Sequence, residues 1–284
     1  MTKIKFTGSK TILCLTLIAV IMLAQSCKKA DLKQEEALTP EQIEQLKSFV
    51  ASSTGFPLTS IDYNSTKKYF VAGKDILISL KDAQTRLKNT EISASSTEGR
   101  DQRVYVYTVT PSNAANIAIY ADNTVPTDWL AALDAAIANW NSTNSHVFMR
   151  RVTATTTTTT SGRGKKKTTT TTSTPPAYNI IVKTLYNDST SMVAQAYMPY
   201  SDGTVGNEVD INTYYSTLSS SYKTFALTHE LGHTIGFTHT DGTYGNLIPG
   251  TPDTDPNSVM NSFVLPWNGF TTYDVIAVNT LYPK

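Results

Sequence analysis

Apolar residues recur along the chain at two spacings, and each spacing predicts one kind of secondary structure. A repeat of three to four residues predicts amphipathic helices, whereas a repeat of two, or a short apolar run, predicts strands. The predicted helices cover residues 39–54, 82–88, 126–140, 222–235 and 271–282, and Thr271 and Asp274 are predicted to form a capping box at the start of the last one. The predicted strands cover residues 69–72, 75–80, 116–120, 146–152, 179–183, 192–198 and 208–211. This mixture of helices and strands indicates an α+β fold.

Polar stretches between these elements indicate where the chain divides. Residues 90–99 are polar and rich in serine, and we interpret them as a linker. Together with a small α+β segment before it, the linker forms an N-terminal unit of residues 39–99. Residues 100–284 are predicted to form the main domain, in which residues 104–110 are either an edge strand or the end of the linker.

Residues 153–176 interrupt the main domain with a low-complexity segment. Two threonine runs flank the basic cluster SGRGKKK, and Pro175-Pro176 closes the segment. This composition cannot bury a core, so we predict a disordered insertion between two strands. Glycosylation of the threonines, or contact of the basic cluster with anionic polymers or lipid, is the alternative interpretation.

The first 26 residues have the pattern of a secretory signal peptide. Three lysines, at positions 3, 5 and 10, precede an apolar run at residues 12–24 that is short for a membrane-spanning helix. The charged residues 27–38 lack periodicity and are predicted to be a tether.

A lipid anchor is predicted where the signal peptide ends. Residues 23–27, LAQSC, resemble a bacterial lipobox, although the leucine stands four residues before Cys27 instead of three. A lipid on Cys27 would hold an exported protein on the bacterial outer membrane or cell surface without spanning it. Ordinary cleavage near Ser26, which leaves a free thiol, is the alternative.

Composition argues against a nucleic-acid-binding protein and against an internal disulfide. The sequence is 40% hydrophobic and has a net charge of +1, so it has no basic footprint for nucleic acid. Cys14 would be lost with the signal peptide, and Cys27 alone cannot form a disulfide within the mature chain. We expect a monomer stabilised by an ordinary core and by a metal ion.

The strongest chemical signal is residues 229–239, HELGHTIGFTH, which contain three of the four histidines of the chain. On a helix, His229 and His233 lie on one face about one turn apart, where both imidazoles can bind one zinc ion. Gly236 lets the chain turn at positive φ and bring His239 back as a third ligand. Three protein ligands leave one coordination position for water, which is typical of a catalytic zinc site.

Glu230, beside the first histidine, completes the predicted chemistry. A carboxylate next to a zinc-bound water can accept its proton and later pass it to the leaving amine. A buried helix whose histidines only satisfy hydrogen bonds is the alternative, and the third histidine in register disfavours it.

The motif resembles the signature of the metzincin zinc peptidases, His-Glu-x-x-His-x-x-Gly-x-x-His, which a methionine turn follows. Residues 229–241, 255–261 and 281–283 are similar to the bacterial dual-action HEIGH metallopeptidases. The resemblance implies a metzincin-like catalytic domain with a mixed twisted sheet, a backing helix, an active-site helix and a C-terminal helix. It also implies that Met260 lies beneath the zinc ligands.

The motif and the resemblance together predict a zinc-dependent endopeptidase that hydrolyses peptide bonds of proteins, with Glu230 as general base and then acid. The alternative is a surface-anchored binding lipoprotein that keeps the metal-binding fold without efficient catalysis, but the intact Glu230 argues against it. In metzincins the strand that lines the cleft runs antiparallel to an extended substrate, and we expect residues 192–198 to be this strand.

The N-terminal segment has two interpretations. It is either a pro-segment that covers the zinc cleft until it is cut away or a permanent accessory module. Many metzincins carry inhibitory pro-segments, some of which use a cysteine to fill the fourth zinc position. Residues 39–99 contain no cysteine, so a carboxylate such as Asp75 would have to replace it, or the segment would block the cleft only sterically.

Four further positions complete the candidate chemistry. Asp241 is predicted either to accept the distal N–H of a zinc ligand or to cap the following turn. Residues 253–257, DTDPN, offer oxygen ligands for a structural Ca²⁺, although ordinary turn chemistry is the stronger interpretation. Some metzincins stabilise the transition state with a tyrosine where this chain has Ser262, so the oxyanion-stabilising group is unassigned. His146, outside the motif, is expected to be structural or exposed.

Overall fold

The computed structural model of the protein describes residues 38–54, 56–90, 102–163, 166–241, 245–252 and 255–284. The predicted signal peptide, Cys27, most of the tether and most of the linker lie outside the described residues. Residues Glu41–Lys284 form one compact unit. Within the described ranges, no helix has both the length and the apolar character needed to cross a membrane.

The chain folds into helices and strands close to those predicted. The helices are α1 (Pro40–Thr54), α2 (Leu80–Thr90), α3 (Pro111–Ala114), α4 (Thr127–Asn141), α5 (Ser220–Thr234) and α6 (Thr272–Leu281). The strands are β1 (Ile61–Asn64), β2 (Tyr69–Ala72), β3 (Ile76–Ser79), β4 (Arg103–Val104), β5 (Ile117–Ala121), β6 (Met149–Val152), β7 (Thr155–Ser161), β8 (Thr168–Thr174), β9 (Ile180–Leu185), β10 (Ala194–Tyr197), β11 (Glu208–Asn212), β12 (Phe237–Thr238) and β13 (Asn246–Leu247). The predicted α+β fold is confirmed.

An eight-stranded mixed sheet organises the fold, with strand order β1-β2-β3-β10-β11-β9-β5-β6. Strands β5, β6, β9 and β11 pair in parallel, and β10 pairs antiparallel with β11. Strand β4 lies outside this sheet, between β12 and β13 in a small antiparallel sheet. Residues 104–110 are therefore not an edge strand of the main sheet.

The N-terminal segment contributes three strands to the main sheet. Strands β1, β2 and β3 form an antiparallel meander, and β3 then pairs in parallel with β10. Strand β10 lies within residues 192–198, which we expected to offer an edge to substrate. In the structure β3 covers that side of β10, while β11 covers the other.

The active-site helix α5 is held by apolar packing against α4. Trp129 and Trp140 on α4 are almost completely buried, and the Trp140 indole N–H donates to the carbonyl oxygen of Thr228 on α5 at 2.9 Å. Trp140 also stacks on Phe237, with ring centroids 5.6 Å apart. Large buried aromatic rings supply much of the apolar area that stabilises a core, so this contact fixes α5 against α4.

The C-terminal helix closes the same core. Thr271 and Asp274 form the predicted capping box, which is confirmed, and each side chain accepts from the backbone N–H of the other residue. Tyr282, just after α6, donates its hydroxyl to the carbonyl oxygen of Ile235 at the end of α5, and accepts from the Val109 N–H at 3.2 Å. The end of α5 is thereby tied to the end of the chain.

The low-complexity insertion differs from the prediction of disorder. Strands β7 and β8 form an antiparallel hairpin, in register from Thr155 opposite Thr174 to Ser161 opposite Thr168. Every residue of both strands is exposed, so the hairpin buries no core, as its composition predicts. The difference arises because β-branched threonine favours an extended backbone, and two such runs can pair without any apolar face.

Candidate metal centre and active site

The local fold of α5 and the turn after it brings the three motif histidines together. Every residue of α5 from Lys223 to Thr234 is buried. The helix ends at Thr234, and Gly236 has the predicted positive φ, +108°. The chain then returns through β12, whose pairing with β4 fixes the path to His239.

The ring nitrogens of these histidines point at one another. The Nε2 atom of His239 lies 3.2 Å from Nε2 of His233 and 3.2 Å from Nε2 of His229. In a tetrahedral zinc site with Zn–N bonds of about 2.0–2.1 Å, two ligand nitrogens are roughly 3.3 Å apart. The observed spacing therefore fits one zinc ion among the three rings.

Backbone carbonyls fix the tautomer of two of these rings. The Nδ1 atom of His229 lies 2.7 Å from the Val259 carbonyl oxygen, and Nδ1 of His233 lies 2.8 Å from that of Phe237. A carbonyl oxygen can only accept, so each Nδ1 carries the hydrogen. Each neutral ring then directs the lone pair of Nε2 into the cluster, which is the form that binds a metal.

Burial keeps these two imidazoles neutral. Together with the charge of His239, burial lowers the pKa of His229 to about 4. Burial and the two neighbouring rings lower the pKa of His233 well below its usual value. For His239 burial acts in the same direction, but the Asp75 carboxylate outweighs it and the pKa is raised. Neutral rings are required for metal binding, so His229 and His233 are prepared for it.

A fourth side chain, Asp75, enters the cluster from the N-terminal segment. Its Oδ1 atom lies 3.3 Å from Nε2 of His239, and its Oδ2 atom lies 3.8 Å from Nε2 of His229. One ligand atom from each of the four residues lies within 4.8 Å of the others. Although burial opposes it, His239 lowers the pKa of Asp75, so the carboxylate is ionised. The donor set is three nitrogens and one oxygen, which suits zinc.

Glu230 lies beside this cluster without a hydrogen-bond partner for Oε2 among the described residues. Burial raises the pKa of Glu230 well above its usual value, and the charges of Asp75 and Asp210 add to the effect. Asp75, His229 and Glu230 line one cleft with Met192 to Ala194 and Asn261 to Val264. A carboxyl group with free acceptor capacity therefore faces the cleft next to the metal ligands.

Met260 packs directly against the active-site helix. A Cβ atom added at Gly232 would lie 2.5 Å from Met260 Sδ and 3.1 Å from Trp140 Cζ2. Gly232 occupies one of the two unspecified positions between Glu230 and His233, and sequence reasoning missed it. Its signal was a glycine in the interior of a helix, where glycine is unfavourable unless a close contact requires it.

The methionine turn is held by the cap of the last helix. The Asp274 carboxylate accepts from the Ser258 hydroxyl at 2.6 Å and from the Val259 N–H at 3.2 Å. Gln102 donates its side-chain amide to both Ser258 and Asp274. Since the Val259 carbonyl orients His229, this buried network supports a metal ligand from outside the motif.

The remaining predicted positions lie near the cluster or away from it. Asp241 accepts from the Ser262 N–H at 3.1 Å and from its hydroxyl, so it is tied to the turn after Met260, and both of its predicted roles stay predictions. Asp255 accepts from Thr271 and from the Asn257 N–H, which is turn chemistry. Residues 253 and 254 lie outside the described residues, and the calcium site stays a prediction. His146 is exposed, as predicted.

A family model described as the dual-action HEIGH metallo-peptidase matches residues 71–245. The chain belongs to this family. The matched residues begin in β2 and therefore include β3 and Asp75 as well as the three histidines. Family membership makes the protein a zinc metallopeptidase.

Solved structures of zinc proteases are similar to the chain at low identity. A structure of myroilysin is 13% identical, with a TM-score of 0.38, and the similarity covers 67% of this chain and 94% of that one. High choriolytic enzyme 1, a hatching enzyme zinc-protease from the medaka fish Oryzias latipes, is 14% identical, with a TM-score of 0.36 and coverage of 62% and 93%. No curated protein sequence matches the chain.

The contact between Gly232 and Met260 generates a testable prediction. We expect Gly232→Ala to lower the free energy of unfolding by about 1–2 kcal/mol, because overpacking outweighs the better helix propensity of alanine. Thermal and urea unfolding measure the change. In the double variant with Met260→Ala, the loss should be smaller than the sum of the two single losses by at least about 0.5 kcal/mol. A Gly232→Ala protein as stable as the parent would show that the contact does not constrain α5.

Proposed function

We propose that the protein is a zinc-dependent endopeptidase that hydrolyses peptide bonds within protein substrates. The observation that carries this proposal is the convergence of His229, His233 and His239 beside Glu230. A zinc ion held by these three imidazoles would supply an activated water as nucleophile and would polarise the carbonyl group to be attacked. Met260 supports the ligands from below.

The protein residues supply positioning and proton transfer. His229 and His233 are held as acceptors toward the metal by the carbonyls that take their Nδ1 hydrogens. The Glu230 carboxylate accepts a proton from the attacking water and donates it to the amine nitrogen as the peptide C–N bond breaks. The same residue thus acts first as a general base and then as a general acid.

Exchange of Glu230 for its amide tests this mechanism. We expect Glu230→Gln, in protein freed of its N-terminal segment, to keep about one zinc per chain but to lose at least about 100-fold in kcat, because an amide cannot accept the proton. Zinc content and cleavage of a denatured protein are measured together. Glu208→Gln, a carboxylate exchange on β11, is the matched control. If the Glu230 variant retained its turnover, Glu230 would not be the base.

The binding lipoprotein is the competing function, and the same experiment distinguishes it. A binding protein would contain zinc but would cleave no denatured protein or peptide library at any stage of processing. The buried Glu230 disfavours it, because a carboxyl group without a partner for one oxygen is costly to bury and a binding function gains nothing from it.

We also propose that the N-terminal segment keeps the enzyme latent. Two features support this: Asp75 occupies the side of the cluster where a fourth ligand would stand, and β3 covers β10. The Ala196 N–H donates to the Asp75 carbonyl at 2.8 Å, and the Met198 N–H donates to that of Leu77 at 3.1 Å. An extended substrate would need these same donors.

The direction of β3 explains why the segment would resist cleavage. It runs parallel to β10, whereas a metzincin substrate runs antiparallel to the cleft strand. The N-to-C direction of β3 past the metal ligands is therefore opposite to that of a substrate. The segment fills the cleft, but its peptide bonds run in the opposite direction to those of a substrate, so none is oriented for proton transfer by Glu230.

Latency predicts that removal of Asp75 opens the metal site. In uncut protein, we expect Asp75→Ala to let a small zinc-binding hydroxamate bind at least about 10-fold more tightly, because it no longer competes with a carboxylate held in place. Calorimetric titration measures this affinity. Asp62→Ala, an exposed aspartate in the same segment, is the control. Uncut parent protein that hydrolysed peptides as fast as protein lacking residues up to 100 would contradict latency.

We propose further that the protein is exported and anchored by a lipid on Cys27 to the outer membrane or cell surface. The lysines before the apolar run and the lipobox-like residues 23–27 support this proposal. A peptidase placed there would act on extracellular or surface proteins as a monomer.

Replacement of the anchored cysteine tests the location. We expect Cys27→Ser to move nearly all of the protein from the membrane fraction to the soluble fraction, because the remaining chain has no acyl group to insert. Cell fractionation with metabolic labelling by a fatty acid measures the change. Cys14→Ser, within the predicted signal peptide, should keep the label. An unlabelled, soluble parent protein would favour ordinary cleavage near Ser26.

A further inference from the structure

Helix α2 carries a buried ion pair that the metal site does not use. Asp82 and Arg86 are one helical turn apart, and the Arg86 guanidinium contacts the Asp82 carboxylate. Their side chains are only 5% and 1% exposed. Lys81, Thr85 and Lys88 on the same helix are exposed, so the burial is specific to one face of α2.

The main domain provides the other half of this contact. The Arg86 guanidinium carbon lies 4.2 Å from the ring centroid of Tyr105 and 4.8 Å from that of Tyr107. Asp82 Oδ1 accepts from the Ser201 N–H at 3.2 Å. We call these five residues the latch: Asp82 and Arg86 on α2, with Tyr105, Tyr107 and Ser201 on the main domain.

The latch depends on the charge of Arg86. A guanidinium over aromatic faces gains most when it is removed from water, as Arg86 is here. Burial lowers the pKa of Arg86 to about 10, and Asp82 opposes this shift, so the group remains charged near neutral pH. Removal of either charge leaves the other buried without its partner, which is more costly than the pair itself.

Each latch contact given above joins two residues that lie outside 91–101. The same is true of the described pairs between β3 and β10. A cut in residues 91–101 therefore removes the covalent link and leaves both attachments unchanged. The segment is held at two places, by Asp75 and β3 in the cleft and by α2 at the latch.

We propose that Tyr105, Tyr107 and Ser201 form a docking surface for helix α2, which retains the N-terminal segment as a non-covalent partner after the chain is cut. The inference extends the proposed latency, because a retained segment would keep the cleft covered. Activation then requires a second event, either digestion of the segment or its dissociation on dilution. A separated segment would also bind to other copies of the main domain.

The experiment follows retention of the segment directly. A recognition site for a sequence-specific protease is introduced within residues 91–101 of the full chain carrying Glu230→Gln, so that neither form can digest itself. A fluorophore on the segment then reports its dissociation from the cut protein, with size-exclusion chromatography as a second readout. We expect the two pieces to elute together at micromolar concentration.

Variants at the latch distinguish it from the cleft contacts. Arg86→Ala should accelerate dissociation about 100-fold, because it leaves Asp82 buried and unpaired. Lys88→Ala removes the same charge from the exposed face of α2 and should change the rate by less than about 2-fold. If Arg86→Ala prevents folding, Tyr107→Leu removes one aromatic face from the main-domain side and should accelerate dissociation about 5-fold or more.

Two outcomes would overturn the inference. One is separation of the cut parent protein at micromolar concentration, and the other is equal dissociation rates for the Arg86, Tyr107 and Lys88 variants. Neither readout needs peptidase activity, so failure of the proposed function would leave the result unchanged. Conversely, a cut protein that separates at once could still be an active peptidase.

Discussion

Two backbone carbonyl groups orient two of the three histidine rings of the metal centre. By accepting the Nδ1 hydrogens of His229 and His233, they direct both Nε2 lone pairs to one point. One of these carbonyls belongs to Val259, whose N–H is held by Asp274 at the start of α6. The last helix of the chain thus orients the first ligand of the motif, 45 residues earlier, through a single peptide unit.

The sheet joins this centre to the N-terminal segment. Because β3 pairs with β10, the segment is part of the main sheet and not a separate layer. The residue just before β3 is Asp75, so its carboxylate position follows from strand register. A shift of β3 by one residue would turn every side chain of the strand to the other face. The register of β3 on β10 therefore determines whether the Asp75 carboxylate reaches the histidine cluster.

The sequence allowed prediction of the local chemistry but not of the long-range pairing. The spacing of His229, His233, Gly236 and His239 acts within eleven residues, where a helix and a glycine turn set the direction, and the structure brings the histidines together as expected. The capping box at Thr271 was predicted for the same reason. The pairing of Ile76 with Ala196 joins residues 120 positions apart, and neither strand has a pattern that names its partner.

The role of Gly232 and the threonine hairpin were not predicted, and both have the same cause. The role of Gly232 depends on Met260 and Trp140, which approach from distant parts of the chain. The threonine hairpin was predicted to be disordered because its composition cannot bury a core. Its backbone pairs are satisfied without one. In both cases the decisive contact lies between segments, whereas composition and periodicity describe one segment at a time.

The exposed hairpin of β7 and β8 has a consequence for self-association of the protein. Its outer edges carry backbone N–H and C=O groups that another copy could pair with, which is a hazard for any isolated two-stranded sheet. Arg163, Lys166 and Lys167 stand at its tip, all exposed. Like charges at each tip repel neighbouring molecules over about 10 Å at ordinary salt. The basic cluster thus opposes fibril-like stacking of the threonine strands, and its protection weakens as ionic strength rises.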